Sequence, residues 1–63
     1  MLTNFTNEHM KINDDFIGRV LDAYKNGKVS KIDAINTIGH VTAAIADGNE
    51  NEYTTFPKIW KPE

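Results

Sequence analysis

Between Ile12 and Tyr24 the apolar residues recur at every fourth position. Ile12, Phe16, Val20 and Tyr24 form the stripe, with Ile17 and Leu21 beside it and Lys11, Asp15, Arg19 and Asp22 off it. Spacing of this kind lines one side of an α-helix with apolar side chains and predicts a helix over about residues 7–25. Thr6 stands where an N-cap belongs, its hydroxyl placed to accept from a first-turn amide that has no partner inside the helix. Phe5 before the cap and Met10 after it have the spacing of a hydrophobic staple. Asn13, followed by Asp14 and Asp15, offers a second cap that would split this helix. The stripe runs through it unbroken, which favours one continuous element.

The stretch YKNGKVSKIDAI, residues 24–35, then changes direction. Asn26-Gly27 closes the first helix, because glycine adopts the left-handed conformation without a Cβ penalty. Ser30 caps the next, with Asp33 in the capping-box position and Val29 and Ala34 as staple partners. A phosphate-binding loop requires several glycines and a lysine directly before its helix. A single glycine does not supply that, so residues 26–30 read as a plain αα-corner.

Ala34, Ile38, Val41 and Ile45 give a second helical stripe, with Ile35 and Thr42 at its margin, over about residues 31–46. Gly39 interrupts it at a cost of ~1 kcal/mol relative to alanine. With Ala43 it makes a flat small-residue surface suited to close contact with another helix; the competing reading is a tolerated surface glycine. Asp47-Gly48 stops this helix. In the remaining NENEYTTFPKIWKPE, Asn49 fits an N-cap and Glu52 the capping-box position. That predicts a short third helix over 50–56, ending before Pro57, since proline biases its predecessor away from helix. Residues 57–63 read as an extended tail in which Ile59 and Trp60 lie between Lys58 and Lys61. The pattern predicts one small all-α domain over 1–63: an antiparallel helical hairpin with a short third helix and a C-terminal aromatic arm.

Size and composition restrict how such a fold is held. A chain of 63 residues buries only about 60% of its unfolded surface and needs a further source of stability. The absence of cysteine excludes disulfides and thiolate metal sites. His9 and His40 are too few for a metal cage unless carboxylates or another chain complete it. Association is the remaining aid. Two amphipathic helices leave one apolar face incompletely covered, so a homodimer with a four-helix arrangement is expected. The start, MLTNFTNEHMK, has neither a basic leader nor an apolar stretch, and no run approaches the ~20 apolar residues of a membrane span. No membrane association and a cytoplasmic location are therefore expected. The net charge of −2 argues against general affinity for nucleic acid, which needs a concentrated basic face.

Candidate chemistry is sparse. No HxxxH or HxxE arrangement accompanies either histidine, and His40, near Asp33, Asn36 and Thr37, reads as a half-exposed helix residue. Asp14 and Asp15 point about 100° apart on a helix and cannot share a proton as catalytic carboxylate pairs do. Ser30 is occupied as a cap. No catalytic, cofactor-binding or metal-binding residue is assigned, and no cofactor is expected. Lys25, Lys28 and Lys31 at the corner, with Lys58 and Lys61 near Tyr53, Phe56 and Trp60, imitate a basic–aromatic nucleic-acid surface. Lys25, however, also suits the negative end of a helix.

The aromatic tail is the most informative feature. Its rings either complete a small core or anchor a partner, a role in which Trp and Tyr predominate. Trp60 is assigned the second role, docking outside its own core, because terminal segments fray unless docked. The candidate partner-binding residues are Trp60, Phe56, Tyr53, Ile59, Lys58 and Lys61, and Gly39 and Ala43 are the candidate close helix contact. The function expected is that of a non-catalytic protein-binding module, an adaptor or inhibitor of a larger protein. By analogy alone, mobile elements and phages encode short chains of this kind to block host machinery. The alternatives are a dimeric nucleic-acid-associated regulator using the lysine corner and aromatic tail, and an enzyme subunit lending one histidine to a shared site.

Overall fold

The computed structural model describes residues 5–62. The parts of the leader reading that fall on residues 1–4, and of the tail reading that fall on residue 63, lie outside the described residues. Three helices follow in order, α1 (Asn7–Lys25), α2 (Lys31–Ala46) and α3 (Glu50–Ile59), and each packs on the other two. The fold is all-α, a helical hairpin with the third helix and the arm laid across one of its grooves.

Local chemistry sets the ends of α1 and α2. The Thr6 hydroxyl accepts from the His9 amide at 3.2 Å, while His9 Nδ1 accepts from the Thr6 amide at 3.1 Å, so a histidine completes the reciprocal box. At the other end Gly27 takes φ +76°. Its amide donates to the Tyr24 carbonyl (3.1 Å) and that of Lys28 to the Ala23 carbonyl (2.8 Å), the two bonds of a Schellman turn. The same pair closes α2: Gly48, at φ +73°, donates to Ile45 (3.0 Å) and Asn49 to Ala44 (2.9 Å). Ser30 accepts from the Asp33 amide at 3.0 Å and starts α2. Asn49 ends one motif and begins the next, its side chain accepting from the Glu52 amide at 3.3 Å. The Glu52 carboxylate does not return to the cap as a capping box requires. It reaches across to His40 on α2 instead.

The third helix is longer than its sequence predicts. It continues through Pro57 to Ile59, and the extended segment begins at Trp60 (φ −67°, ψ 136°) rather than at residue 57. A proline inside a helix removes one amide donor and crowds the carbonyl four residues back, at ~3 kcal/mol. Three features offset this. Pro57 is fully buried, only two helical residues follow it, and Arg19 of α1 donates to the carbonyls of Pro57 and Trp60 (2.8 Å to the latter). The guanidinium therefore supplies donors where the helix has run out of amides, and places a cation at the negative end of the dipole.

The core consists of Phe16, Val20, Ala23, Ala34, Val41, Ala44 and Tyr53, with Phe5, Ile17, Val29, Ile38, Ile45, Phe56 and Trp60 partly buried against it. This corrects the centre of the α1 stripe. Phe16 and Val20 are buried, but Tyr24 and Leu21 remain 46% and 52% exposed, and Ala23 takes the inward position in the last turn. On α2 Ala34 and Val41 are buried and Ala44 joins them, whereas Ile35 is 58% exposed. Phe5 is not confined to the staple expected with Met10. Its ring meets those of His9 (5.9 Å) and Tyr53 (5.6 Å), while Met10 is half exposed.

Candidate functional site

Packing of α3 brings together residues far apart in the chain. Its buried side carries Tyr53 and Phe56 inward. Tyr53 lies edge-on to His9 at 5.2 Å, and Phe56 lies edge-on to Phe16 at 5.9 Å. Trp60 follows, its indole perpendicular to Phe16 at 5.9 Å. Edge-to-face pairs of this separation are favourable beyond the area they bury. The Trp60 ring thus packs on the end of its own core, while it also lines the cleft described below. Ile59, in contrast, is 68% exposed, and Lys58 and Lys61 project into solvent. The six tail residues therefore divide into three that pack inward and three that face outward.

Both histidines engage the first turn of α3. His9, only 12% exposed, accepts from Thr6 through Nδ1, so in its neutral form the proton is on Nε2. That nitrogen lies 3.5 Å from Glu50 Oε2. His40 Nε2 is 2.5 Å from Glu52 Oε2, and its ring lies against that of Phe56 at 4.6 Å, tilted by 54°. One imidazole from each hairpin helix flanks the start of α3. Burial, with the Glu50 carboxylate acting in the same direction, raises the Tyr53 phenol above its ordinary pKa. Among the described residues no three histidine or acidic side chains are grouped closely enough to hold a metal ion.

Two surfaces remain. The first is a cleft of about 500 Å³ between α2, the end of α3 and the arm. Val29, Phe56 and Trp60 supply its apolar lining, Asn36, Thr37 and His40 line the α2 side, and Lys28 and Lys61 stand with Asp33 at its edges. The second lies on the far side of the hairpin. The α1 face toward α3 carries His9, Phe16 and Arg19, and the α2 face carries His40, so α3 occupies one groove between α1 and α2. Met10, Ile17, Leu21 and Tyr24 on α1 and Ile35, Ile38 and Thr42 on α2 are turned from it by helical geometry toward the other groove. Met10, Leu21, Tyr24 and Ile35 are each about half exposed there, and Ile32 next to them is 68% exposed. Gly39 and Ala43 are exposed on the adjoining edge of α2, and a Cβ built at Gly39 meets nothing within 4 Å, so the space beside Gly39 is open.

The tail lysines face different grooves. Lys28 and Lys61 share the cleft, whereas Lys58 lies with Lys11 in the groove between α1 and α3. In the sequence Arg19 is distinguished only as a polar residue off the stripe. Its i,i+4 bond to Asp15 (3.0 Å) was visible in the spacing, but its carbonyl partners lie 38 and 41 residues away. No helix among the described residues is long and apolar enough to cross a membrane. Compared with protein-family models, curated proteins and solved structures, the chain shows no match to any.

Proposed function

We propose that this protein is a small non-catalytic protein-binding module of the cytoplasm, self-associating through the open face of its hairpin and acting as an adaptor or inhibitor of a larger protein. The observation that carries this reading is the exposed apolar group Met10, Leu21, Tyr24, Ile32 and Ile35. At roughly 150–200 Å² of surface for each large side chain, these five leave about 400–550 Å² exposed. That is half to two-thirds of the ~800 Å² each partner gives to a standard interface, the remainder falling to the polar residues around the group. A second hairpin laid on this face would complete a four-helix arrangement, with Gly39 and Ala43 allowing close approach at its edge. This face is additional to the aromatic tail expected from sequence, whose Tyr53, Phe56 and Trp60 also pack on the chain's own core.

The test is sedimentation at micromolar concentration of the wild type and of the Leu21→Glu/Ile35→Glu variant, with helicity followed by circular dichroism. Wild-type dimers and helical monomers of the variant are expected. A monomeric wild type whose melting temperature does not depend on concentration refutes self-association. For the partner, mass spectrometry of proteins retained by the wild type but lost by the variant tests whether the same face serves both contacts.

The nucleic-acid alternative draws on the five lysines of the corner and tail. Lys28 and Lys61 share one cleft and Lys58 lies in another groove, on a chain of net charge −2, which does not favour a continuous track for a phosphate backbone.

A further inference from the structure

The cleft between α2, α3 and the arm has a composition that the open hairpin face lacks. Its lining is apolar at Val29, Phe56 and Trp60 and carries the hydrogen-bonding side chains of Asn36 and Thr37. Its volume of about 500 Å³ falls within the range of small-ligand and peptide-side-chain sites. Two ammonium groups stand at its margin, those of Lys28 and Lys61, and among the described residues neither is within ion-pair distance of a carboxylate. Glu52, the nearest acid on α3, is already held by His40. Among the described residues Asp33 is the one carboxylate lining the cleft, set against the ammonium groups of Lys28 and Lys61.

We infer that this cleft binds an acidic peptide segment bearing one large apolar side chain. The apolar residue would lie against Trp60, Phe56 and Val29 while flanking carboxylates meet Lys28 and Lys61, and Thr37 and Asn36 offer bonds to the peptide backbone. Charge-assisted bonds at the rim of an apolar pocket select such a ligand over a purely apolar one, because a neutral peptide leaves both ammonium groups solvated and gains nothing from them. A polyphosphate chain fits less well: it needs several cations in line, and among the described residues the cleft offers two lysines with Asp33 in the same lining. This inference rests on the protein-binding reading and names the chemistry of the partner segment, at a surface distinct from the self-association face.

The experiment is an amide chemical-shift titration of the full chain with three blocked pentapeptides: acetyl-DEFED-amide, its neutral counterpart acetyl-NQFQN-amide, and acetyl-DEAED-amide, which lacks the ring. Expected is saturable movement of the Val29, Asn36, Thr37 and His40 amides and the Trp60 indole with the first peptide. Both controls should bind about tenfold more weakly or worse, since two exposed charge pairs or one buried ring each supply that order of discrimination. The Lys28→Glu/Lys61→Glu variant should lose the preference for acid with an unchanged melting temperature, both side chains being exposed. No saturable shift at the cleft, equal binding of the neutral peptide, or displacement of the acidic peptide by oligodeoxythymidine would overturn the inference, the last in favour of a phosphate ligand. Repeating the titration on Leu21→Glu/Ile35→Glu separates the two surfaces. Cleft binding that survives there stands even if self-association fails, and a silent cleft on a self-associating wild type removes this ligand while leaving the module reading in place.

Discussion

Replacing Trp60 with alanine measures how much the ring contributes to the chain's own core. Truncating a fully buried Trp costs about 3–5 kcal/mol. The indole is only partly buried, resting edge-on against Phe16 at 5.9 Å, so roughly half of that, about 2 kcal/mol, is expected. The Trp60 carbonyl still accepts from Arg19 in the variant, which confines the perturbation to the ring. Against a total of about 3–9 kcal/mol for a chain of this length, the loss is large, and it corresponds to a fall of about 8–16 °C in melting temperature. Urea unfolding followed at 222 nm, on samples dilute enough to be monomeric, gives the number without relying on the lost fluorophore. Trp60→Phe should recover more than half of it, since a smaller ring can still meet Phe16. A change below about 0.5 kcal/mol with an unaltered urea slope would refute the reading that the ring closes the core.

Arg19→Lys should destabilise by about 1–2 kcal/mol, because an ammonium cannot span the carbonyls of Pro57 and Trp60 as the planar guanidinium does. Hydrogen exchange of the Trp60 amide should accelerate more than that of Val20, whereas Asp15→Asn should cost less than ~0.5 kcal/mol, being an exposed i,i+4 pair. Gly39→Ala should stabilise the monomer by ~1 kcal/mol in thermal unfolding at low concentration, since its Cβ enters open space in an otherwise regular helix. A loss of stability at that dilution would mean that another element approaches Gly39 in the isolated chain.

The sequence by itself determined whatever depends on neighbours within four or five residues. Thr6, Ser30 and Asn49 satisfy local amides, and Gly27 and Gly48 take the positive φ that ends α1 and α2. Together with 3.6-residue periodicity these fix three helices and their corners before any long-range contact exists. The inward side of those helices was not determined in this way. The α1 stripe is wide enough to face either groove of the hairpin, and only the position of α3 decides that Phe16 is covered while Leu21 and Tyr24 are left for another surface. The end of α3 shows the same division. Local preference stops the helix before Pro57, but burial of that ring and two carbonyl bonds from Arg19 carry it to Ile59. The roles of Trp60, His40 and Glu52 follow from that docking, because each is defined by a partner at least twelve positions away, and no local spacing encodes such pairs.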